Sequence, residues 1–406
     1  MSNKVFSNYL LPFFLIAFFQ KDCSKQLTPV EEQLPQEKVR TIRVGAENFD
    51  LYLPMLEGKK VALAANQTSK VGERHLLDTL LAKGVEVKKV FAAEHGFRGT
   101  EDAGAAIVSG KDAKTGLPII SIYGTQKKPS RDELAGVDLL IFDMQDVGAR
   151  FYTYISTMHY LMEACGENGV SFMVLDRPNP NGQQVDGPVL KREFQSFVGM
   201  HPIPVLHGMT VGELAKMING EGWLKGGISC ELTVIPCRNY SRDMLYELPV
   251  APSPNLRSTK AIALYPSLCF FEGTIVSVGR GTPHPFECIG HPAFRQGDFT
   301  FTPAPSFGAT APKLSGQRCL GYDLSQLPLD SIRSQGVNLS WLIEFYQLLS
   351  PRNEFFLPSL FFDKLAGTDQ LRKQITEGWS EEEIRESWRE GLKEFKEKRQ
   401  AYLIYP

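Results

Sequence analysis

The sequence predicts an α/β fold: a Rossmann-like parallel sheet domain followed by a second, smaller α+β domain. Three observations predict it. Short continuous apolar runs recur between residues 60 and 175, separated by helical stretches, as in a parallel sheet covered on both faces. The 406 residues give room for two cores. After Gly182 the alternation fades, which sets the boundary near 185 and the two domains at 41–185 and 186–406.

The runs come in order. They are Lys60-Val61-Ala62-Leu63-Ala64, then residues 85–91, Pro118-Ile119-Ile120-Ser121-Ile122, residues 137–142 and residues 170–175. Helical stretches fall between them, for example over 73–83 and 154–168. Further along, Thr210 and Glu213 form a capping box that opens a helix, and the proline-rich stretch 250–255 is a shaped loop. Residues 272–282 read as a strand. Ser380 with Glu383 caps a last amphipathic helix whose apolar face is Ile384, Trp388, Leu392 and Phe395.

The N-terminal segment does not read as globular. Lys4 precedes an apolar run of about eleven residues, short of the roughly 20 that span a bilayer but suited to a signal-peptide core. Residues 1–23 are therefore read as an export signal and 24–40 as a tether, making the protein periplasmic or membrane-anchored. Cys23, just after the apolar run, is a candidate lipid-modified residue, although Gln20-Lys21-Asp22 is a poor version of the usual processing pattern; cleavage with an incidental cysteine is the alternative. Cys165, Cys230, Cys237, Cys269, Cys288 and Cys319 contain no C-x-x-C pair, so neither a zinc ribbon nor a redox motif is signalled. A Cys230–Cys237 disulfide is conceivable, but buried thiols are the simpler reading.

Hydrophobic residues at 43% and charged residues at 22% are ordinary for a soluble domain. A formal charge of −2 gives no basic footprint for nucleic acid. No G-x-S-x-G, S-x-x-K, H-E-x-x-H or Walker loop occurs, so neither an activated serine nor a phosphate cradle is indicated. The histidines have no metal-ligand spacing, and no metal or other cofactor is expected.

Polar residues collect where each strand ends, the edge at which open α/β sheets bind ligands. Glu94 follows the second strand, where partial burial suits a general acid, with His95 and Arg98 beside it to orient acid or substrate. Its bland alternative is a helix cap or a pair with Arg98. Asp143 and Asp146 follow the fourth strand, as catalytic carboxylates or as an N-cap and a partner for Arg150. Asp176-Arg177-Pro178-Asn179 follows the fifth; Arg177 either clamps a substrate carboxylate or pairs within the protein. Glu272 is a catalytic carboxylate from the second domain or an ordinary strand-end charge. Asn66, Gln145, Arg150, Tyr152, Asp176, Asn179, His207, Asn255 and Arg280 complete the candidate substrate contacts.

Three segments carry a likeness to a known family: 93–99 (AEHGFRG), 143–154 (DMQDVGARFYTY) and 175–182 (LDRPNPNG). They are joined in the same order by His207-Gly208-Met209-Thr210, Pro252-Ser253-Pro254-Asn255, Phe271-Glu272-Gly273-Thr274, Gly279-Arg280-Gly281-Thr282 and residues 362–368. The chain resembles, from about residue 45 to its end, the exo-β-N-acetylmuramidases of peptidoglycan recycling. Leu256-Arg257 departs from the family's usual continuation of that loop. The resemblance implies release of N-acetylmuramic acid from the non-reducing end of a peptidoglycan-derived saccharide, in a cleft between two domains and without a metal. Glu94 would then protonate the leaving oxygen, with Asp143 or Glu272 opposite, and an arginine among Arg98, Arg150, Arg177 and Arg280 would take the lactyl carboxylate. Carboxyls about 5–5.5 Å apart would retain configuration and roughly 6.5–9.5 Å would invert it, while the 2-acetamido group offers a substrate-assisted course. A non-catalytic binding protein for the same sugars is the competing reading. The sequence does not specify an oligomeric state.

Overall fold

The computed structural model describes residues 41–94, 96–98, 110–350 and 354–406. The export signal, the tether, Cys23 and His95 lie outside the described residues.

Among the described residues seven strands form the main sheet: β1 Lys60–Ala65, β2 Glu86–Ala92, β3 Gly110–Lys111, β4 Pro118–Ser121, β5 Leu139–Asp143, β6 Ser171–Leu175 and β7 Leu232–Ile235. Their order is β3-β4-β2-β1-β5-β6-β7. All neighbours are parallel except β3, which runs antiparallel to β4 at the edge. Without β3 this is the doubly wound 3-2-1-4-5-6 arrangement, so the sheet is Rossmann-like as the apolar runs predict. The central strands are buried on both faces; in β5 every residue is buried. The seventh strand is drawn from beyond residue 185.

Helices close the faces: α1 Leu76–Ala82, α2 Tyr154–Asn168, α3 Val211–Gly220, α4 Thr259–Leu268, α5 Ser340–Leu349 and α6 Glu381–Arg399 among others. α2 spans the predicted stretch and stops at Gly169, whose φ of 66° gives the left-handed C-cap that favours glycine. Capping boxes open α3 at Thr210 and α6 at Ser380. α6 buries Ile384, Trp388 and Phe395 against the body, as its apolar stripe requires.

A small antiparallel sheet follows, β8 Cys288–His291, β9 Phe299–Phe301 and β10 Cys319–Asp323, with β10 central. One apolar cluster runs from Phe91 and Phe142 of the large sheet through Phe270 and Phe345 to Trp388. A shared core of this kind fixes the relative placement of the elements it joins. The six cysteines in the described residues are buried free thiols, without a Cys230–Cys237 bond.

The expected strand over 272–282 does not form. Cys269–Gly273 is a short 3-10 helix, and the rest makes only single bridges, Thr274 to Phe356 and Ser277 to Gly290. The reason is Lys313. Its ammonium donates to the carbonyls of Phe271 (2.9 Å), Glu272 (3.4 Å), Thr274 and Val276 (3.1 Å), taking acceptors that a ladder would need. Burial among these carbonyls pushes the Lys313 ammonium down to about 8.

Candidate active site

A cavity of about 220 Å³ opens beside the carboxyl ends of β2 and β4, with Glu94 and Glu272 both in its wall. Glu94 leaves β2 and is half-buried. The Tyr123 hydroxyl, from the loop after β4, donates to its Oε1 at 3.0 Å, and Thr153 Oγ1 donates to Oε2 at 3.3 Å. Tyr154 Oη donates to the Glu94 carbonyl at 3.3 Å, so its backbone is also held. Burial raises the Tyr123 and Tyr154 phenols above their ordinary range, keeping both as proton donors at neutral pH.

Glu272 enters from the 3-10 turn that Lys313 cages. Arg280 grips it through two parallel bonds, Nε to Oε1 at 2.5 Å and Nη2 to Oε2 at 3.1 Å. The carboxylate in turn holds the Arg280 guanidinium above its ordinary range despite burial. Arg280 also lies over the Phe286 ring, 5.0 Å from its centroid. Its Nη1 has no hydrogen-bond partner among the described residues. The remaining wall is aromatic: Phe151 and Tyr152 pack edge-on against Tyr265, which does the same against Phe286. Asn255 and Ser253 add polar atoms from the proline-rich loop.

Of the sequence candidates, then, Glu94, Glu272, Arg280, Tyr152 and Asn255 meet at one cavity. The Tyr152 hydroxyl donates to Pro252 O (2.7 Å) and Asn255 Nδ2 to Gly308 O (2.6 Å), so these two shape the wall. The other described candidates lie elsewhere. Asp143 is fully buried and takes both Nε (2.6 Å) and Nη2 (3.0 Å) of Arg177, a pair that fills the sheet's switch point between β1 and β5. Arg98 pairs bidentately with Asp112 at 2.8 and 2.9 Å. Arg150 is fully buried, its guanidinium donating to the carbonyls of Pro188, Ile203, Leu365 and Ala366. A charge this deep needs those acceptors and has no surface left for a ligand.

The same logic removes Asn66, Gln145, Asp176 and Asn179 from the cavity. Asn66 Oδ1 caps Thr68 N at 2.9 Å, and Gln145 Nε2 ties the carbonyls of Asp146 and Pro178. Asp176 accepts from Thr210 Oγ1, Gly212 N and Tyr405 Oη, which fastens the C-terminus to α3. Asn179 bridges Met209 O and Asn181 N. His207 is buried, its Nδ1 accepting from Met209 N and its Nε2 4.0 Å from Asp146 Oδ2. Tyr123, Thr153, Tyr154 and Tyr265 are among the wall residues missing from the sequence candidates. Tyr123 lies in the loop just after β4 and was reachable by the strand-end rule; nothing local marks Tyr265, one aromatic among the buried positions of α4.

Asp146 and His207 make a pH-dependent pair. Burial pushes Asp146 up to about 7 and His207 down to about 3, so both favour their neutral forms. Asp146 binds its proton more tightly when folded, which stabilises the fold below its unfolded value near 3.8 and is lost as pH rises towards 7. His207 has the opposite slope, since its neutral form costs stability as pH falls from 6.5 towards 3. Asp146→Asn should therefore remove roughly 2 kcal/mol of stability loss between pH 5 and 8, read by urea unfolding at both pH values. An unchanged pH slope would contradict this account of Asp146.

The N-terminal model of exo-β-N-acetylmuramidase NamZ matches residues 61–260 and its C-terminal model residues 263–405. The peptidoglycan β-N-acetylmuramidase NamZ of Bacillus subtilis (strain 168) is 41% identical over 372 residues, covering 87% of this chain and 89% of that protein. A crystal structure of a DUF1343 family protein from Bacteroides fragilis NCTC 9343 superposes with a TM-score of 0.84 at 46% identity, covering 90% of this chain and 99% of its own. A second DUF1343 protein from the same strain gives 0.75 at 29% identity, covering 91% and 100%. Both halves of the chain carry the likeness, in the order in which its motifs occur, and the protein belongs to the exo-β-N-acetylmuramidase family of glycoside hydrolases.

Proposed function

We propose that this protein is an exported, exo-acting hydrolase that releases N-acetylmuramic acid from the non-reducing end of peptidoglycan fragments. The observation that carries this reading is the meeting of Glu94 and Glu272, brought from distant parts of the chain, with Arg280 on one aromatic cavity. Glycoside hydrolysis asks for such a pair of carboxyls across the scissile bond. Glu94 is the proton donor to the leaving oxygen, oriented by Tyr123 and Thr153. Glu272, gripped by Arg280 through two parallel hydrogen bonds, works on the opposite side. The Arg280 Nη1, facing an anionic sugar, takes the lactyl carboxylate. Purified protein should release N-acetylmuramic acid from a chromogenic N-acetylmuramide and from the muramic acid–glucosamine disaccharide. Binding without turnover would favour the sugar-binding reading instead. The anomeric form of the first product, followed by NMR, distinguishes retention from inversion.

The orienting role of Tyr123 has its own consequence. Tyr123→Phe removes one neutral hydrogen bond to Glu94, worth about 1 kcal/mol, so kcat should fall about fivefold with KM little changed. A rise in KM alone would place Tyr123 in substrate binding.

Export and anchoring rest on residues 1–23. Cys23→Ser should move the protein from the membrane to the soluble fraction and abolish labelling by a radioactive fatty acid; an unchanged distribution would remove Cys23 as the anchor.

A further inference from the structure

A groove of about 690 Å³ adjoins the cavity, and Phe197 lies in the wall of both. The loop after β4 links them a second time. It carries Tyr123 to Glu94 and, four residues later, Lys127, whose ammonium sits 4.6 Å from the centroid of the Phe197 ring. Tyr160 of α2 stacks on Phe197 at 6.3 Å with 13° between the rings, and Trp223 stands further along the same groove. All three rings are partly exposed and line the groove.

The charges are unbalanced there. Glu163 is saturated: it accepts from Lys128 Nζ at 2.7 Å and from Lys225 N at 2.9 Å, and His159 Nε2 lies 3.6 Å away. Lys128 is also held by Glu167. The Lys127 and Lys225 ammoniums, in contrast, have no acidic partner among the described residues. The groove therefore combines aromatic side chains with two cations that lack an acidic partner among the described residues, next to the cavity with which it shares Phe197.

We infer that this groove binds the leaving part of the substrate, a peptide-free glycan of several sugars, with Lys127 receiving the carboxylate of a second muramic acid. The inference rests on the proposed hydrolase activity. Pyranose rings present C–H faces that lie well on Tyr160, Phe197 and Trp223. A lactyl carboxylate recurs on every second sugar of such a chain, so an extended glycan brings an anion into the groove whereas a disaccharide does not. A peptide stem also carries carboxylates, but a stack of aromatic faces along the groove favours the glycan.

The test compares three substrates: the disaccharide, the peptide-free tetrasaccharide with muramic acid at its non-reducing end, and the disaccharide with a peptide stem on its muramic acid. Wild-type kcat/KM should be higher for the tetrasaccharide than for the disaccharide. Lys127→Glu should lower that ratio about fivefold, the worth of one partly exposed ion pair, and Trp223→Ala should lower it as well. A ratio unchanged in Lys127→Glu overturns the inference. So does a loss confined to the stem-bearing disaccharide, which would assign the carboxylate to the stem. If the wild type cleaves none of them, the hydrolase reading fails separately, and calorimetric binding of the tetrasaccharide decides. Weaker binding by Lys127→Glu supports the groove, and equal binding overturns it.

Discussion

Replacing Glu94 by Gln should lower kcat on the natural disaccharide by about 10²- to 10⁴-fold, the contribution of a positioned proton donor. Gln keeps the size of the side chain and still offers an oxygen to Tyr123 or Thr153, so folding and KM should change little. What it loses is the transferable proton. The consequence depends on the leaving group. A sugar alkoxide needs protonation as the bond breaks, whereas a dinitrophenolate leaves without help. The loss should therefore be at least about tenfold smaller on a dinitrophenyl N-acetylmuramide than on the disaccharide. Equal losses on the two substrates would remove Glu94 from the role of acid, even if activity fell. Circular dichroism and thermal unfolding of the variant control for a folding defect.

The second large effect concerns stability. Asp143→Asn removes the counter-charge of Arg177, a side chain only 3% exposed that has both parallel bonds directed at Asp143. Breaking such a buried pair costs about 3–5 kcal/mol, because the remaining ion is left without solvent or counter-charge. Replacing both residues, Asp143→Leu with Arg177→Met, should recover most of that loss. Specific activity per folded molecule should stay within about twofold of wild type in the single variant. The urea midpoint and the activity of the folded fraction, measured together, separate this role from catalysis. A hundredfold activity loss at unchanged stability would return Asp143 to the chemistry.

Much of the fold was legible because burial on both faces forces continuous apolar strands. β1, β5 and β6 announced themselves in this way, and α2 was marked by its periodicity and by Gly169 at its end. β7 escaped because it is four residues long and follows a stretch of about fifty residues without the alternating pattern. The segment Thr274-Ile275-Val276-Ser277-Val278 misled in the other direction. Its β-branched composition suits a strand, but Lys313, thirty-odd residues away, claims its carbonyls.

The site divides along similar lines. The chain by itself determined which residues end the parallel strands, and hence that Glu94, Asp143, Asp176 and their neighbours crowd one edge of the sheet. It also carried the family likeness. Tertiary structure alone decided which of these charges face each other and which face the cavity. Arg177 meets Asp143, Arg98 meets Asp112 and Arg150 meets four carbonyls, while Glu94 and the Glu272–Arg280 pair are left on a cavity. The physical reason is that a charge removed from water must find a partner, and the partner is chosen by proximity in the folded chain. Sequence order lists the carboxylates and guanidiniums; only their packing separates those consumed in holding the sheet together from those left on the cavity.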